Sequence, residues 1–533
     1  MDQYYDVVII GAGPAGIFAA LELAQLKAGL RVLMVDSGRN IDARACPARA
    51  GKKCAGCKPC SIMSGWSGAG AFSDGKLSLS EDVGGNIVDY LGRDRTRALI
   101  KYADGHFLRF GAPSAVHGID DRKVEEIRYE ASKHNIRLIP CPVRHMGTEN
   151  AFEVLRRMYK YLESEPWFEF SELTEAVGLS VCGAPGAKSG IGAAVSEAAG
   201  AAAAGIGADA EATGRAAGLA GLDDVAGLAG AAGLGSAAAA GENGSRVRSV
   251  TLRGADGNLR EVSAGAVVAA PGRCGAEWLK NIADAHGVPI QNNEVDIGLR
   301  VEVPNAVMDS LTKYLYEAKL VYYSDTFESK VRTFCMNPGG IVSEEHYDGG
   351  IAVVNGHSYS DAALRTRNTN FALLVSTKFT QPFSQPIEYG KYIASLGNML
   401  TGGGIMVQRL GDLLQGRRTD RSRLEKSTTE PTLASAVAGD LSFALPHRHL
   451  TSIIESLVAF DKLAPGLYSK NTLLYGVEVK FYSSKVEVDS RFRTKIGGLY
   501  AIGDGAGITR GLMQASATGV AVARDIASAR GTA

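Results

Sequence analysis

Read for its apolar positions, the chain begins with a change of period. Residues 7–10 are an unbroken apolar, β-branched run, the pattern of a short parallel strand buried on both faces. From Pro14 to about Lys27 the pattern becomes helical, and Gly29 predicts its end. Residues 31–35 return to a strand closed by Asp36. Helices are predicted near 96–102 and 122–133, with a short strand at 137–139. Thr148 has the chemistry of an N-cap for a helix carrying Phe152, Leu155, Tyr159 and Leu162 on one face. Strands follow at 168–170 and 176–181. Residues 247–252 and 259–262 predict a hairpin about Asp256-Gly257, and 265–272 a further buried strand. Beyond 276 come longer alternating strands, such as 296–303, 331–335 and 351–354, among amphipathic helices. A last strand at 499–502 leads through Gly503-Asp504-Gly505 to a small-residue helix from Leu512.

Composition sets bounds on this picture. At 533 residues the chain exceeds one core. Lysine plus arginine equals aspartate plus glutamate, 57 each, which argues against nucleic acid or an anionic membrane as partner. No apolar run reaches the ~18 residues of a membrane span, and the start lacks the order of a signal peptide, so a cytoplasmic protein is expected. Residues 183–245 are dominated by alanine and glycine with almost no aromatic side chain; they read as a low-complexity insertion without a core. The predicted organisation is a dinucleotide-binding domain from 1–182, 246–275 and 475–533. The insertion at 183–245 interrupts it, and a substrate domain spans 276–474. The fold class is α/β: a Rossmann-type domain built from both chain ends with an inserted α+β domain.

The chemistry starts at Gly11, Gly13 and Gly16, a G-x-G-x-x-G between strand and helix. The first glycine permits the turn, the second lets backbone approach a pyrophosphate, and the third allows close helix packing. The helix start favours phosphate, and Asp36 is placed to accept both hydroxyls of a ribose. The closing stretch decides which dinucleotide is expected. An acid at the end of a late strand, Asp504, followed by a helix N-terminus, gives a second half that closes on FAD. A simple NAD dehydrogenase has no such return.

With GAGPAG and Asp36, VVAAPGR at 267–273, and GLYAIGDGAG at 498–507, the chain resembles FAD-binding oxidoreductases of the glutathione-reductase-like superfamily. More narrowly, CPARAGKKCAGCKPCSIMSGWSGAGAFSDGKLSLS and YAIGDGAGITRGLMQAS are similar to the family called FAD-dependent dehydrogenases. The resemblance implies a two-domain flavoprotein with Gly11, Gly13, Gly16, Asp36, Thr148, Val177, Gly272 and Asp504 along the FAD. It places Asp74 and Lys76 nearer the ring. Lys76 would stabilise an anionic flavin or pair with Asp74 on the surface.

Cys46, Cys54, Cys57 and Cys60 crowd a loop at 44–62. Such spacing suits an iron–sulfur cluster; zinc, redox thiols and four inert thiols are the alternatives. Cys141, Cys182, Cys274 and Cys335 are isolated and read as packing residues. His357, after a strand, is a candidate acid or base, or hydrogen-bonded scaffolding. His145 is expected to touch cofactor, and His447 and His449 to be exposed. Arg510 could clamp a substrate carboxylate or phosphate, or cap its own loop. The expected function is transfer of hydride or electrons between a small organic substrate and FAD, with an unidentified electron donor or acceptor. A flavin-dependent RNA-modifying enzyme and a non-catalytic flavin-binding protein are the rivals.

Overall fold

The computed structural model describes residues 3–47, 55–183, 244–347, 350–359, 361–380, 382–383 and 385–531. The insertion expected at 183–245 therefore lies almost wholly outside the described residues, as does Cys54.

The first sheet forms around strand Gln3–Ile10, whose apolar end packs on both faces as its sequence predicts. In order, it contains Phe168–Ser171, Val32–Val35, Gln3–Ile10, Leu259–Ala269, Arg246–Arg253 and Glu175–Cys182. The first four run parallel, and Leu499–Ala501 joins parallel to the end of Leu259–Ala269. Register places Ile10 opposite both Val35 and Ala269, and Leu499 opposite Val267. The two separate strands expected at 259–262 and 265–272 are one strand, Leu259–Ala269. Its first half pairs antiparallel with Arg246–Arg253 and Val262 to Ala269 pair parallel with Gln3–Ile10, so one long strand serves both purposes.

The helices Pro14–Gln25 and Leu512–Ala529 lie against each other because Gly519 has no side chain. A Cβ there would stand 2.1 Å from Ala15 O. Head and tail of the chain are thus one packed unit. The helix expected to be capped by Thr148 runs Gly147–Glu163 with Met146 at its N-cap, so Thr148 is inside its first turn. Leu155, Tyr159 and Leu162 are buried on its inner face, and Phe152 packs at the edge.

The second sheet is antiparallel except at one edge. Its order is Val437–Ala438, Met406–Arg409, Leu473–Lys480, Val295–Pro304, Asn368–Thr377, Lys330–Asn337, Leu320–Tyr323 and Ile136–Leu138. Strand Leu473–Lys480 belongs here, so the return to the first sheet follows Lys480 rather than beginning at 475. Helix Asp121–Ser132 and strand Ile136–Leu138, expected in the first domain, supply Val124, Ala131, Ile136 and Leu138 to this second core. Helix Ala276–Ala285 instead packs Leu279, Ile282 and Ala283 into the first core.

The central strand reads VDIGLRVEVP. Val295, Ile297, Leu299, Val301 and Val303 face helices such as His447–Phe460 and Asn305–Leu315. The alternate positions Asp296, Arg300 and Glu302 are also fully buried, each at 0 % exposure. Arg300 lies beneath the hairpin Ile341–Tyr347/Ile351–His357, where Gly356 leaves no room for a side chain: its Cβ would meet Asn370 Oδ1 at 2.2 Å and Arg300 Nη1 at 2.4 Å, while Asp296 is held by Arg332 and Tyr482 and Glu302 by Thr432 and Tyr475. A buried polar face must find partners within the protein, and this one supplies half of the candidate site.

Candidate active site

The first half of the site is a cradle. Gly11 takes φ +102, donates its N–H to Val35 O at 2.8 Å, and packs so that a Cβ would meet Ala270 O at 2.1 Å. Gly16 is equally closed, with Gly11 O 2.1 Å from where its Cβ would be. Gly13 differs: a Cβ there meets nothing within 4 Å. It faces open space at the start of a helix whose N-terminus has no side-chain cap and no acid in its first turn. Gly272 (φ +63) also opens onto empty space.

Segment 65–72 lies across this turn. Ser67 N–H donates to Ala12 O at 2.6 Å, and Gly68 approaches the Gly13 Cα. Ser67 has φ 68, and its hydroxyl is buried without a hydrogen-bond partner. The chain return closes the far side. A Cβ on Gly503 would lie 3.2 Å from Ala15 Cβ, and one on Gly505 2.5 Å from Gly272 O. Asp504 accepts from Thr509 Oγ1 at 2.6 Å and lies 3.4 Å from Arg273 Nε. The final helix, like the first, has no side-chain cap at its N-terminus.

Asp36 is more committed than its position suggests. Oδ1 accepts from Gly38 N at 2.8 Å and Gly65 N at 2.7 Å, and Oδ2 from Ala12 N at 2.9 Å. A carboxylate has about four acceptor positions, so it can take one further donor, not the pair of hydroxyls expected. It fastens the 65–72 segment to the glycine turn.

The second half is a layer of charge between the domains. Lys76, 7 % exposed, donates to Met336 O and Asn337 Oδ1, both at 2.7 Å, and lies 2.9 Å from Asp74 Oδ2. Burial pulls its ammonium down, but Asp74 and neighbouring negative groups outweigh it and hold the pKa above its ordinary value. Burial pushes the Asp74 carboxyl up, yet the charges of Lys76, His145 and His357 leave it below the usual range. The pair expected on the surface is therefore a buried staple between the two domains.

Arg300 forms a two-pronged pair with Glu478 at 2.9 and 3.0 Å and reaches Asn370 Oδ1 at 2.8 Å. Tyr482 OH donates to Asp296 Oδ2 at 2.6 Å, and Arg332 closes on the same oxygen at 2.5 Å. The Arg510 guanidinium lies 3.9 Å over the Tyr482 ring, and among the described residues no carboxylate is in ion-pair range of it.

Tyr316 completes the layer. It has φ 58 and ψ −57, a conformation costly for a bulky residue. Its hydroxyl is 3.1 Å from His145 Nδ1 and 3.3 Å from Ser358 Oγ. Burial and the nearby Lys76 charge push His145 down to about 4, so its ring is neutral at neutral pH. Burial raises Tyr316, against the pull of Lys76, so its proton stays on.

Residues 294–481 match the family described as "FAD-dependent protein, C-terminal domain-like", and residues 5–63 match "Pyridine nucleotide-disulphide oxidoreductase". The chain is an FAD-dependent oxidoreductase. An uncharacterized protein of Clostridium beijerinckii is 24 % identical over 97 % of this chain and 80 % of its own length. Among solved structures, formate oxidase aligns with TM-score 0.44 at 10 % identity, covering 99 % of both chains. Glycine oxidase from Geobacillus kaustophilus aligns at 0.36 and 10 %, covering 99 % of this chain and 95 % of its own.

The residues present fit FAD. Gly13 and Gly272 open onto empty space, the two helix starts have no side-chain cap, and the buried Ser67 hydroxyl has no hydrogen-bond partner, a donor set that suits a pyrophosphate. Thr148 lies in the first turn after the Met146–Gly147 corner that packs on Gly75, and Val177 sits at a bulge in Glu175–Cys182. His357 ends its strand close enough to Asp74 to influence it.

Of the four clustered cysteines the described residues include Cys46, Cys57 and Cys60. Among the described residues no group of three or more His, Cys, Asp or Glu is placed to hold a metal ion. Cys46 is half-buried, Cys57 and Cys60 are exposed, and all three are free thiols. Of the four expected to be packing residues only Cys141 is buried; Cys182 and Cys274 are exposed, and Cys335 is half-buried beside Lys76. His449, expected at the surface, is buried with Nε2 3.1 Å from Thr377 Oγ1, while His447 is exposed.

Sequence reasoning missed Tyr316, Ser67 and Arg44. Arg44 is 6 % exposed and donates to four carbonyls, those of Ser61, Ile62, Trp66 and Gly68. Burial pulls its guanidinium down to about 10, against the raising influence of Asp36 and Cys60. Nothing local in ARAC marks that role. No helix among the described residues is long and apolar enough to cross a membrane.

Proposed function

We propose that this enzyme exchanges a hydride or electrons between FAD and a small organic anion held in the charged layer between its two domains. The observation that carries the reading is Arg510: a guanidinium stacked on Tyr482, beside the Asp504 turn, with no carboxylate in ion-pair range among the described residues. Neighbouring cations have carboxylates of their own, Lys76 with Asp74, Arg273 with Asp504, Arg300 with Glu478 and Arg332 with Asp296. Arg510 is the place where a substrate carboxylate completes the pairing.

When bound, the flavin supplies the two-electron chemistry. In this reading Gly13, Gly272, Ser67 and the two helix starts receive the pyrophosphate and ribityl end. Gly11 and Gly16 hold the turn closed, Asp36 fixes the loop and takes one ribose hydroxyl, and Thr148, Val177 and Asp504 line the rest. Lys76 donates to Met336 O and Asn337 Oδ1 and is paired in charge with Asp74, so it holds a fixed positive charge and the domain alignment and does not move a proton. We assign proton exchange at the substrate to the Tyr316 hydroxyl, with neutral His145 and Ser358 as its relay. His357 adds charge beside Asp74. No step is routed through the cysteines.

The test is anaerobic spectral titration of the purified FAD-loaded enzyme with a series of small mono- and dicarboxylates, read as perturbation of the flavin band at about 450 nm. Arg510→Ala should weaken carboxylate binding about 10- to 100-fold, the worth of a charge-assisted hydrogen bond. Arg510→Lys should lie between, with FAD content unchanged in both. Carboxylates that bind the Ala variant as tightly as the parent, or perturb neither, refute the reading.

A further inference from the structure

Strand Lys330–Asn337 sends successive side chains to opposite faces of the second sheet. Val331 enters the second core, and Thr333 is buried with its hydroxyl on Ala318 O. Arg332 and Phe334 point the other way, onto the face that carries Asp296 and Tyr482. Phe334 is half-buried there. Its partner across the ladder is Ala372, whose methyl group is too short to cover a ring.

Three cations from separate segments surround this ring. The Arg332 guanidinium is 4.9 Å from its centre, Lys319 Nζ 5.5 Å and Lys480 Nζ 5.8 Å. Each already has a carboxylate: Arg332 has Asp296, Lys319 has Glu317, and Lys480 has Glu478 at 3.3 Å and Glu345 at 3.6 Å. The cations are thus pinned by their acids, and the ring is not what neutralises them. An aliphatic side chain would fill the same volume. The aromatic ring adds a flat face of negative charge, which draws cations and on which a second ring can stack. Cations about such a face favour a stacked ring that itself carries negative charge. The ring is also linked to Arg510 by two contacts. Arg332 Nη2 lies 2.9 Å from Tyr482 OH, and the Arg510 guanidinium stacks on the Tyr482 ring.

We propose that Phe334 is a stacking platform and that the substrate is an aromatic acid, its ring on Phe334 and its carboxylate on Arg510. The carboxylate half rests on the reading of Arg510 given above; the ring half rests on Phe334 and the cations about it. Phe334 then sets specificity for a flat π-system, while Arg510 sets specificity for charge.

The two halves are separated by anaerobic titration of full-length FAD-loaded protein, read at the flavin band. The probes are phenylacetate, phenylpropionate and phenylbutyrate, their cyclohexyl counterparts, and the amides of each. Phenyl against cyclohexyl reads the ring, and acid against amide reads the charge. At the best chain length the parent should bind the phenyl acid about three- to tenfold more tightly than the cyclohexyl acid, the worth of an aromatic pair. Phe334→Leu should abolish that preference and keep the preference for acid over amide. Arg510→Ala should do the reverse, and Phe334→Tyr, which keeps the face, should behave as the parent. Equal binding of phenyl and cyclohexyl probes by the parent, or a preference that survives Phe334→Leu, overturns the platform. A ring preference without any preference for acid over amide refutes the Arg510 reading and leaves the platform standing. A Phe334→Leu variant whose ligand-free flavin spectrum shifts while the phenyl preference stays places the ring against the flavin and overturns the proposal. No response to any probe overturns both.

Discussion

Replacing Lys76 by methionine removes a charge that the fold has already desolvated. The side chain of Lys76 is 7 % exposed and that of Asp74 14 %, so neither recovers water when the other is lost. Lys76→Met leaves Asp74 buried beside no cation and strips Met336 O and Asn337 Oδ1 of their donor. Breaking a buried pair from one side costs about 3–5 kcal/mol. Removing both charges in Lys76→Met/Asp74→Asn should cost about 1–2 kcal/mol, the worth of the carbonyl bonds alone. The coupling between the sites should then be about 2–3 kcal/mol. The pH dependence has a definite sign. In the parent, Asp74 titrates below its ordinary range, so its contribution is present above that range and is lost as pH falls through the lowered value. In Lys76→Met the largest lowering influence is gone and only His145 and His357 oppose burial, so its pKa rises and the variant should be least impaired when Asp74 is protonated. The assay is urea unfolding of parent, single and double variants at pH 5 and pH 8, followed by flavin and tryptophan fluorescence. A single variant within about 1 kcal/mol of the parent at pH 8 would refute a buried, uncompensated carboxylate. So would a double variant as unstable as the single.

Three further outcomes follow from the same geometry. Gly13→Ala points its Cβ into open space, so the fold should survive with FAD lost, whereas Gly16→Ala drives its Cβ onto Gly11 O and should fail to fold; calorimetry and flavin content separate the two. Ser67→Gly keeps the φ of 68 and removes only the orphaned hydroxyl, so FAD should bind about five- to tenfold more weakly by fluorescence titration with thermal stability unchanged. His145 has a folded pKa lowered to about 4, so the parent should lose stability as pH falls from its unfolded value near 6.5 towards 4; His145→Gln should flatten that window in chemical-denaturation curves.

Much of this site was readable before folding, and the division falls along physical lines. The glycine turn is a local object: strand, turn and helix start are adjacent in sequence, so period and glycine spacing describe it fully. Asp36 was legible as a position but not as a partner. The backbone N–H groups of Gly38 and Gly65 that occupy it depend on how the 65–72 segment crosses the turn. The alternation in 296–303 reads as a strand with one wet face, yet Asp296, Arg300 and Glu302 are fully dry, because partners from distant segments, Arg332 and Tyr482, Glu478, and Thr432 and Tyr475, close on them. Thr148 has the right chemistry for a cap, but the Met146–Gly147 corner packed on Gly75 starts the helix earlier. Tyr316 carried no signal at all, since its neighbours His145 and Ser358 come from distant segments.

By itself the sequence determined the first sheet's nucleus, the cradle's glycines and the kinship with flavin enzymes, because each is written in short stretches whose backbone geometry is fixed by neighbours along the chain. Only the tertiary structure decided which charges are matched and which, like that of Arg510, has no carboxylate in range among the described residues. Ion pairing inside a protein depends on distance and on the water excluded, and both are set by segments hundreds of residues apart.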